Sequence, residues 1–186
     1  MIENPAIDDI LRFWFAELSP QQWFGDGKKL DGMVKARFGA LVDSAKHGEL
    51  DGWADTPRSR LALIILLDQF SRHVFRGTPE AFAADAKAAA LTLDGIARGM
   101  DQKLETPAQR QFFYMPLMHA EDRNLQALSL AKVTANDFGE GALKAAQQHA
   151  DIIARFGRFP HRNRILGRAS TPEEETFLKT NPPSFS

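Results

Sequence analysis

An all-α fold is predicted for this 186-residue chain by three observations. Apolar residues recur at helical rather than alternating spacing. Thr-Pro pairs stand at the points where helical stretches would begin. No strand-like run is bounded by hairpin turns. Together these predict seven or eight helices in a single domain spanning residues 1–186.

The elements follow in order. Asn4-Pro5 opens a helix over residues 5–16, with the asparagine oxygen available to a first-turn amide and proline at a position whose N–H has no helical partner. The segment from Glu17 to Leu30 reads as a connection, and a second helix is predicted over 31–47. Thr56-Pro57 starts a third, over 57–73. Its run from Leu61 to Leu67 is apolar all round, which together with the capped start marks a buried central helix rather than a strand. Thr78-Pro79 and Thr106-Pro107 start helices over 79–98 and over 107–133, the latter interrupted at Pro116. Ala142, Ala145, Ala146, His149, Ile152, Ile153 and Phe156 form one stripe of a helix over 141–156 that stops at Gly157. Thr171-Pro172, with Glu174 completing a capping box, starts the last helix over 172–179. Trp14, Phe15, Trp23, Phe24, Phe38 and Trp53 are expected in the core of the N-terminal half.

Composition narrows the function classes. A hydrophobic content of 44% with 25% charged residues is ordinary for a globular chain. The 23 basic residues nearly cancel the 24 acidic ones, so no general attraction to nucleic acid or to an anionic membrane is expected. The absence of cysteine removes disulfides, thiolate zinc sites, iron-sulfur clusters and a cysteine nucleophile. The start MIENPAIDDI carries early acids and no basic-then-apolar pattern, so a secretory or mitochondrial address is not expected. The longest apolar run has seven residues, far below a membrane span. A cytoplasmic protein is the expectation.

The chemically richest stretch is Arg155 to Arg168, RFGRFPHRNRILGR, with five arginines in fourteen residues. Guanidinium groups match carboxylates and phosphates through paired hydrogen bonds, so Arg76, Arg158, Arg162 and Arg168 are candidates for an anion. The alternative is that they are paired within the fold. Asp151, for example, stands one turn before Arg155. Arginines interleaved with Phe156 and Phe159 also suit nucleic acid, but the patch is short and no basic excess supports it. Asp68 and Arg72 lie one turn apart, on the buried helix, as a charge held at a cleft wall or a pair tying helices together. His119, Glu121 and Asp122 follow Pro116, where one of the two acids points partly inward. His149 sits mid-stripe, in a place where histidine is more often a core residue than a ligand. His161, Arg162 and Asn163 follow Pro160, which reads as a turn. The histidines and Asp122 could ligate a metal, but there is no HExxH or doubled Glu-x-x-His, and arginines oppose a cation. No metal site or cofactor is predicted, and no glycine-rich phosphate loop or nucleophile elbow occurs.

The segments RFWFAELSPQQWFG, ALIILLDQFSRHVFRGTPEAFAADAKA, FFYMPLMHAEDRNLQ and HADIIARFGRFPHRNRILGRASTPEE resemble, in order, the landmarks of the bacterial domain of unknown function 924 family. The resemblance covers nearly the whole chain. It implies a tetratricopeptide-repeat-like right-handed array of antiparallel helix pairs, although no 34-residue self-similarity is visible; it implies no activity. The family pattern falls on Asp68, Gln69, Arg72, Phe75, Arg76 and Gly77, then on Tyr114, His119, Glu121 and Asp122, and then on His149, Arg158, Phe159, Pro160, His161, Arg162, Asn163 and Gly167. It departs at Ser71 and His73, where proline and asparagine are common, and after Asp122, where Arg123-Asn124-Leu125 replaces a different polar run. His73 is therefore not carried over.

Three functions compete on these residues. The leading expectation is a binding domain for a small anionic ligand or an acidic peptide end, using Asp68, Gln69, Arg72, Arg76, Arg158, His161, Arg162 and Asn163. The second is a hydrolase exchanging protons between Glu121 or Asp122 and His119, His149 or His161, with or without a metal. The third is a protein-interaction scaffold whose polar cluster only fixes helix packing.

Overall fold

The computed structural model describes residues 4–24 and 27–180, and among these it contains helices and turns but no strand. Helix α1, Pro5–Arg12, continues into a π-helical segment, Phe13–Glu17. Asn4 accepts from the Ala6 N–H at 3.0 Å, as the Asn-Pro start predicts. The segment read as a connection instead holds α2, Pro20–Phe24, and a 3₁₀ turn, Gly27–Leu30. Helix α3 is Asp31–Lys46.

Helix α4 begins at Pro57–Ile64, passes through a π segment, Ile65–Phe70, and ends in Ser71–Val74. Its start is capped by Thr56, and every residue from Ser59 to Asp68 is buried. The Ser71 N–H donates to the Leu66 carbonyl five residues back, and the Ser71 hydroxyl donates to the same oxygen at 3.2 Å. That i to i−5 bond is the mark of a π turn, which inserts one extra residue into the helix and re-aims those that follow.

Thr78-Pro79 opens only a 3₁₀ turn, Pro79–Ala81, and α5 starts later, at Asp85–Ala97. Helix α6, Pro107–His119, runs through Pro116 without stopping, so the expected break there is corrected. The interruption falls instead at residues 120–122, where Asp122 caps α7, Arg123–Asn136. Helix α8 is Glu140–Phe156 and α9 is Pro172–Thr180. Nine helices are therefore present among the described residues rather than seven or eight.

The chain forms two compact units, Met1–Arg76 with Glu80–Pro116, and Gly77–Pro79 with Leu117–Ser186. The first holds the aromatic core: Phe13 and Phe38 have ring centroids 5.1 Å apart, Phe38 and Phe70 4.8 Å, and Trp14 and Phe112 5.3 Å. Of the aromatics expected inside, Phe24 is exposed; it stacks on Phe112 from outside. Arg60 is also buried in this unit, its guanidinium spent on the carbonyls of Ala54 and Leu91 and on Asp94. In the second unit α7 packs along α8, and a small core of Ile152, Ile153 and Phe159 is bordered by Phe156 and by Phe177 of α9.

Candidate functional site

The candidate residues divide between the two units, and each group is described by itself. In the first unit the π segment carries Asp68 fully buried, and Arg72 follows one turn on, 3.2 Å from its carboxylate. Arg72 also donates to the Asp68 backbone carbonyl at 2.6 Å and holds both oxygens of Asp85 at 3.0 Å. Burial works against the Arg72 charge, but Asp68 and Asp85 outweigh it and raise its pKa. Gln69 donates to Asp68. Arg76 grips Asp31 at 2.5 and 2.8 Å, and His73 donates to the same carboxylate through Nδ1 at 2.8 Å. Burial would raise the Asp31 carboxyl, yet Arg76 and His73 hold it below its ordinary value. Tyr114 donates to buried Asp101 at 2.6 Å. These bonds tie α4 to α3 and α5, and α6 to the turn before it.

In the second unit the end of α6, the end of α8 and the arginine stretch meet. Asp122 is exposed and points outward: one of its oxygens accepts the N–H groups of Asn124 and Leu125 at 2.8 and 2.9 Å, so it is a helix cap rather than an inward carboxylate. Glu121 is the inward acid. Arg168 binds it with two bonds of 2.6 and 2.9 Å, and the Phe159 N–H donates to it at 2.7 Å. Burial pushes its pKa up, but Arg168 and that amide outweigh the burial and leave it lowered.

Arg158 and Asn163 share a second acid, Glu174 of α9. Arg158 binds both of its oxygens at 2.7 and 2.8 Å, Asn163 donates at 3.2 Å, and the Thr171 amide completes the capping box at 2.8 Å. Arg158 holds the Glu174 carboxyl down to about 2. The expected Asp151 to Arg155 pair is replaced, because Arg155 reaches Glu173 at 2.8 Å and Asp151 accepts from Gln147. The acids Glu174, Asp85 and Asp31 were not singled out by sequence; only the capping-box position of Glu174 carried any signal.

His149 and His161 flank Phe159, which is fully buried, and His119 lies beside His149. The rings of His149 and His161 each lie 5.5 Å from it, His119 lies 6.2 Å from His149, and the Arg162 guanidinium stands 4.5 Å over its face. His149 bonds through Nδ1 to the Ala145 carbonyl at 2.8 Å. A carbonyl only accepts, so Nδ1 carries the proton and Nε2 keeps its lone pair. Burial, with the charges of His119 and Arg162, pushes His149 down to about 3, and burial with Arg162 pushes His161 down to about 4. Both rings are therefore neutral near pH 7. Among the described residues, no group of three or more His, Asp or Glu side chains is placed to hold a metal ion. Among the described residues no helix is long and apolar enough to cross a membrane.

A model of a bacterial protein family of unknown function, DUF924, matches residues 10–182. A solved structure from Agrobacterium tumefaciens, the protein of unknown function ATU0120, is 40% identical and superposes with a TM-score of 0.86, over 94% of this chain and 97% of that one. No curated protein matches the chain.

Proposed function

The chain belongs to the bacterial DUF924 family, and because that kinship brings no activity with it, we propose from the geometry of the second unit that the protein is a helical binding domain for a small anion. The anion, a phosphate or a carboxylate, is received by His119, His161 and Arg162. The observation that carries this reading is the placement of His149, His161 and the Arg162 guanidinium around Phe159, with His119 beside His149. Burial is the largest cause of the lowered proton affinity of His149 and His161; Arg162 adds to it at both rings, against the opposing charge of Glu121 at His161, and so contributes a positive potential there. An anion entering that potential is attracted, and it makes protonation of the rings cheaper.

Proton transfer by Glu121 or Asp122 has less support. Glu121 stays ionised in the grip of Arg168 and Asp122 is occupied as a cap. We read the helices as one domain arranged in a tetratricopeptide-repeat-like right-handed array of antiparallel pairs and place the protein in the cytoplasm. The packing of α7 along α8 across a connection at residues 137–139 supports the paired arrangement.

The test is thermal unfolding in phosphate or citrate against chloride at matched ionic strength, at pH 6 and pH 8. A ligand that binds the folded state stabilises it by mass action, so a rise of several degrees is expected, larger at pH 6 and lost in His161→Gln and His119→Gln. If neither anion raises the midpoint above chloride at either pH, anion binding is wrong and the scaffold reading replaces it.

A further inference from the structure

The acidic helix α9 has the marks of a ligand held by its own chain. We propose that the face formed by Arg155, Phe156, Arg158 and Asn163 is a receptor for an acidic amphipathic helix, with α9 as its resident occupant and a helix of the same pattern on a partner protein as its exchange partner. This site is separate from the histidine group and does not depend on anion binding there.

Three positions attach α9. Glu174 is its one buried residue and accepts from Arg158, Asn163 and the Thr171 amide. Glu173 takes Arg155 at 2.8 Å. Phe177 lays its ring 5.1 Å from Phe156, with the Arg155 guanidinium 4.8 Å from the one ring and 5.8 Å from the other. The recognised pattern is thus Glu-Glu-x-x-Phe on one helical face, a pair of acids met by arginines and an aromatic met by an aromatic. A helix of nine residues is too short to persist alone in water, so docking is what keeps α9 helical. Such coupled folding and binding is how amphipathic helices are recognised in grooves. The start of the helix is self-contained, since Thr171 and Glu174 cap each other, so an unconnected segment with the same residues carries its own cap. Charge complementarity selects the partner: the receptor offers two guanidinium groups and an amide, and an acidic helix satisfies all three.

In the native chain, tethering gives α9 an effective concentration in the millimolar range, which excludes a competitor present at micromolar level. The experiment therefore loosens the resident helix in the full-length protein. Glu174→Gln keeps the shape and removes the charge; Phe177→Ala loosens the same helix from its apolar side. Both variants are expected to keep a cooperative unfolding transition, to exchange the amides of α9 faster than those of α8, and to bind a fluorescent peptide of residues 170–180 with micromolar Kd. The native protein should bind the peptide on the order of 100-fold more weakly. The peptide carrying the Glu174→Gln change, or a protein also carrying Arg158→Ala, should show no binding. The proposal is overturned if neither variant binds the peptide, or if both lose cooperative unfolding, which makes α9 part of the core. It is also overturned if loosening α9 gives a stable dimer, which makes a second copy of the chain the occupant.

Discussion

Replacing Glu121 by alanine removes one carboxylate and strands two donors. The bidentate bonds from Arg168, at 2.6 and 2.9 Å, and the Phe159 N–H bond at 2.7 Å all end on this side chain. Breaking a fully buried pair costs about 3–5 kcal/mol, because the surviving charge is left in a poor solvent. Here both partners keep roughly a quarter of their side-chain surface in water, 25% for Arg168 and 24% for Glu121, so solvent recovers part of the loss. Arg168 also retains bonds to the Asn163 side chain and the Phe159 carbonyl. The net expectation is about 3 kcal/mol, or a midpoint lowered by roughly 6–12 °C for a chain of this size. Glu121→Gln keeps an acceptor for the amide and should cost about half as much. The Glu121→Ala, Arg168→Ala double variant should lose less than the sum of the single losses by roughly 1–2 kcal/mol. Because the folded-state pKa of Glu121 is lowered, its contribution is present above the unfolded-state value and lost as pH falls through the folded one. The gap between native and Glu121→Gln proteins should therefore close in acid. Urea titrations at pH 7 and pH 4 measure the free-energy differences, and thermal unfolding measures the midpoint shift. A cost below about 0.5 kcal/mol, the range of an ordinary surface change, or strict additivity in the double variant, would refute the claim that this pair holds the arginine stretch in place.

Two further outcomes follow from packing and protonation. A Cβ at Gly95 would stand 2.5 Å from Phe113 Cζ and 3.0 Å from Arg60 Cδ, and Arg60 is fixed by two carbonyls. Gly95→Ala should therefore destabilise by about 1–2 kcal/mol despite better helix propensity, whereas Gly39→Ala, whose Cβ meets only a lysine stem at 3.9 Å, should stabilise by about 0.5–1 kcal/mol; equal signs in chemical denaturation would contradict the packing account. His149 and His161 are held at about 3 and about 4 in the folded protein, below their unfolded value near 6.5. Folding therefore keeps them neutral, and stability should fall as pH drops below 6.5, by roughly 1.4 kcal/mol per pH unit for each ring until its folded pKa is reached. A denaturation midpoint unchanged between pH 7 and pH 5 would exclude this.

Much of the fold was legible because capping and periodicity are local. Four of the Thr-Pro and Asn-Pro starts open helices, and the buried run at 61–67 lies where its unbroken apolarity required. The errors have local physical causes too. Pro116 lacks an N–H and predicts a break, but the helix passes through it. The break lies at residues 120–122, where Asp122, six residues after the proline, caps the next helix. Thr78-Pro79 carried the same signature as the true starts, yet α5 begins only at Asp85, where Arg72 holds the carboxylate in place. The π segment could not be read at all, since its extra residue reflects packing rather than propensity.

The site was legible in its residue types and illegible in its partners. Sequence reasoning found the arginines and histidines, because charge in an apolar context stands out wherever it falls. It could not find which acid each arginine meets, because those acids lie 13 to 47 positions away: Asp85 for Arg72, Glu174 for Arg158, Glu121 for Arg168. That pairing changes the meaning of the stretch. Arg158 and Arg168 use the geometry of the guanidinium fork, which a lysine of equal charge does not reproduce. They act on two different acids, and Asn163 joins both, taking Arg168 on its oxygen and giving its amide to Glu174. One side chain thus links the last helix to the end of α6. Arg162 stands over Phe159 beside the imidazoles and also lowers the pKa of Glu121, so the stretch serves two groups: Arg158 and Arg168 engage acids through the guanidinium fork, and Arg162 meets an aromatic face.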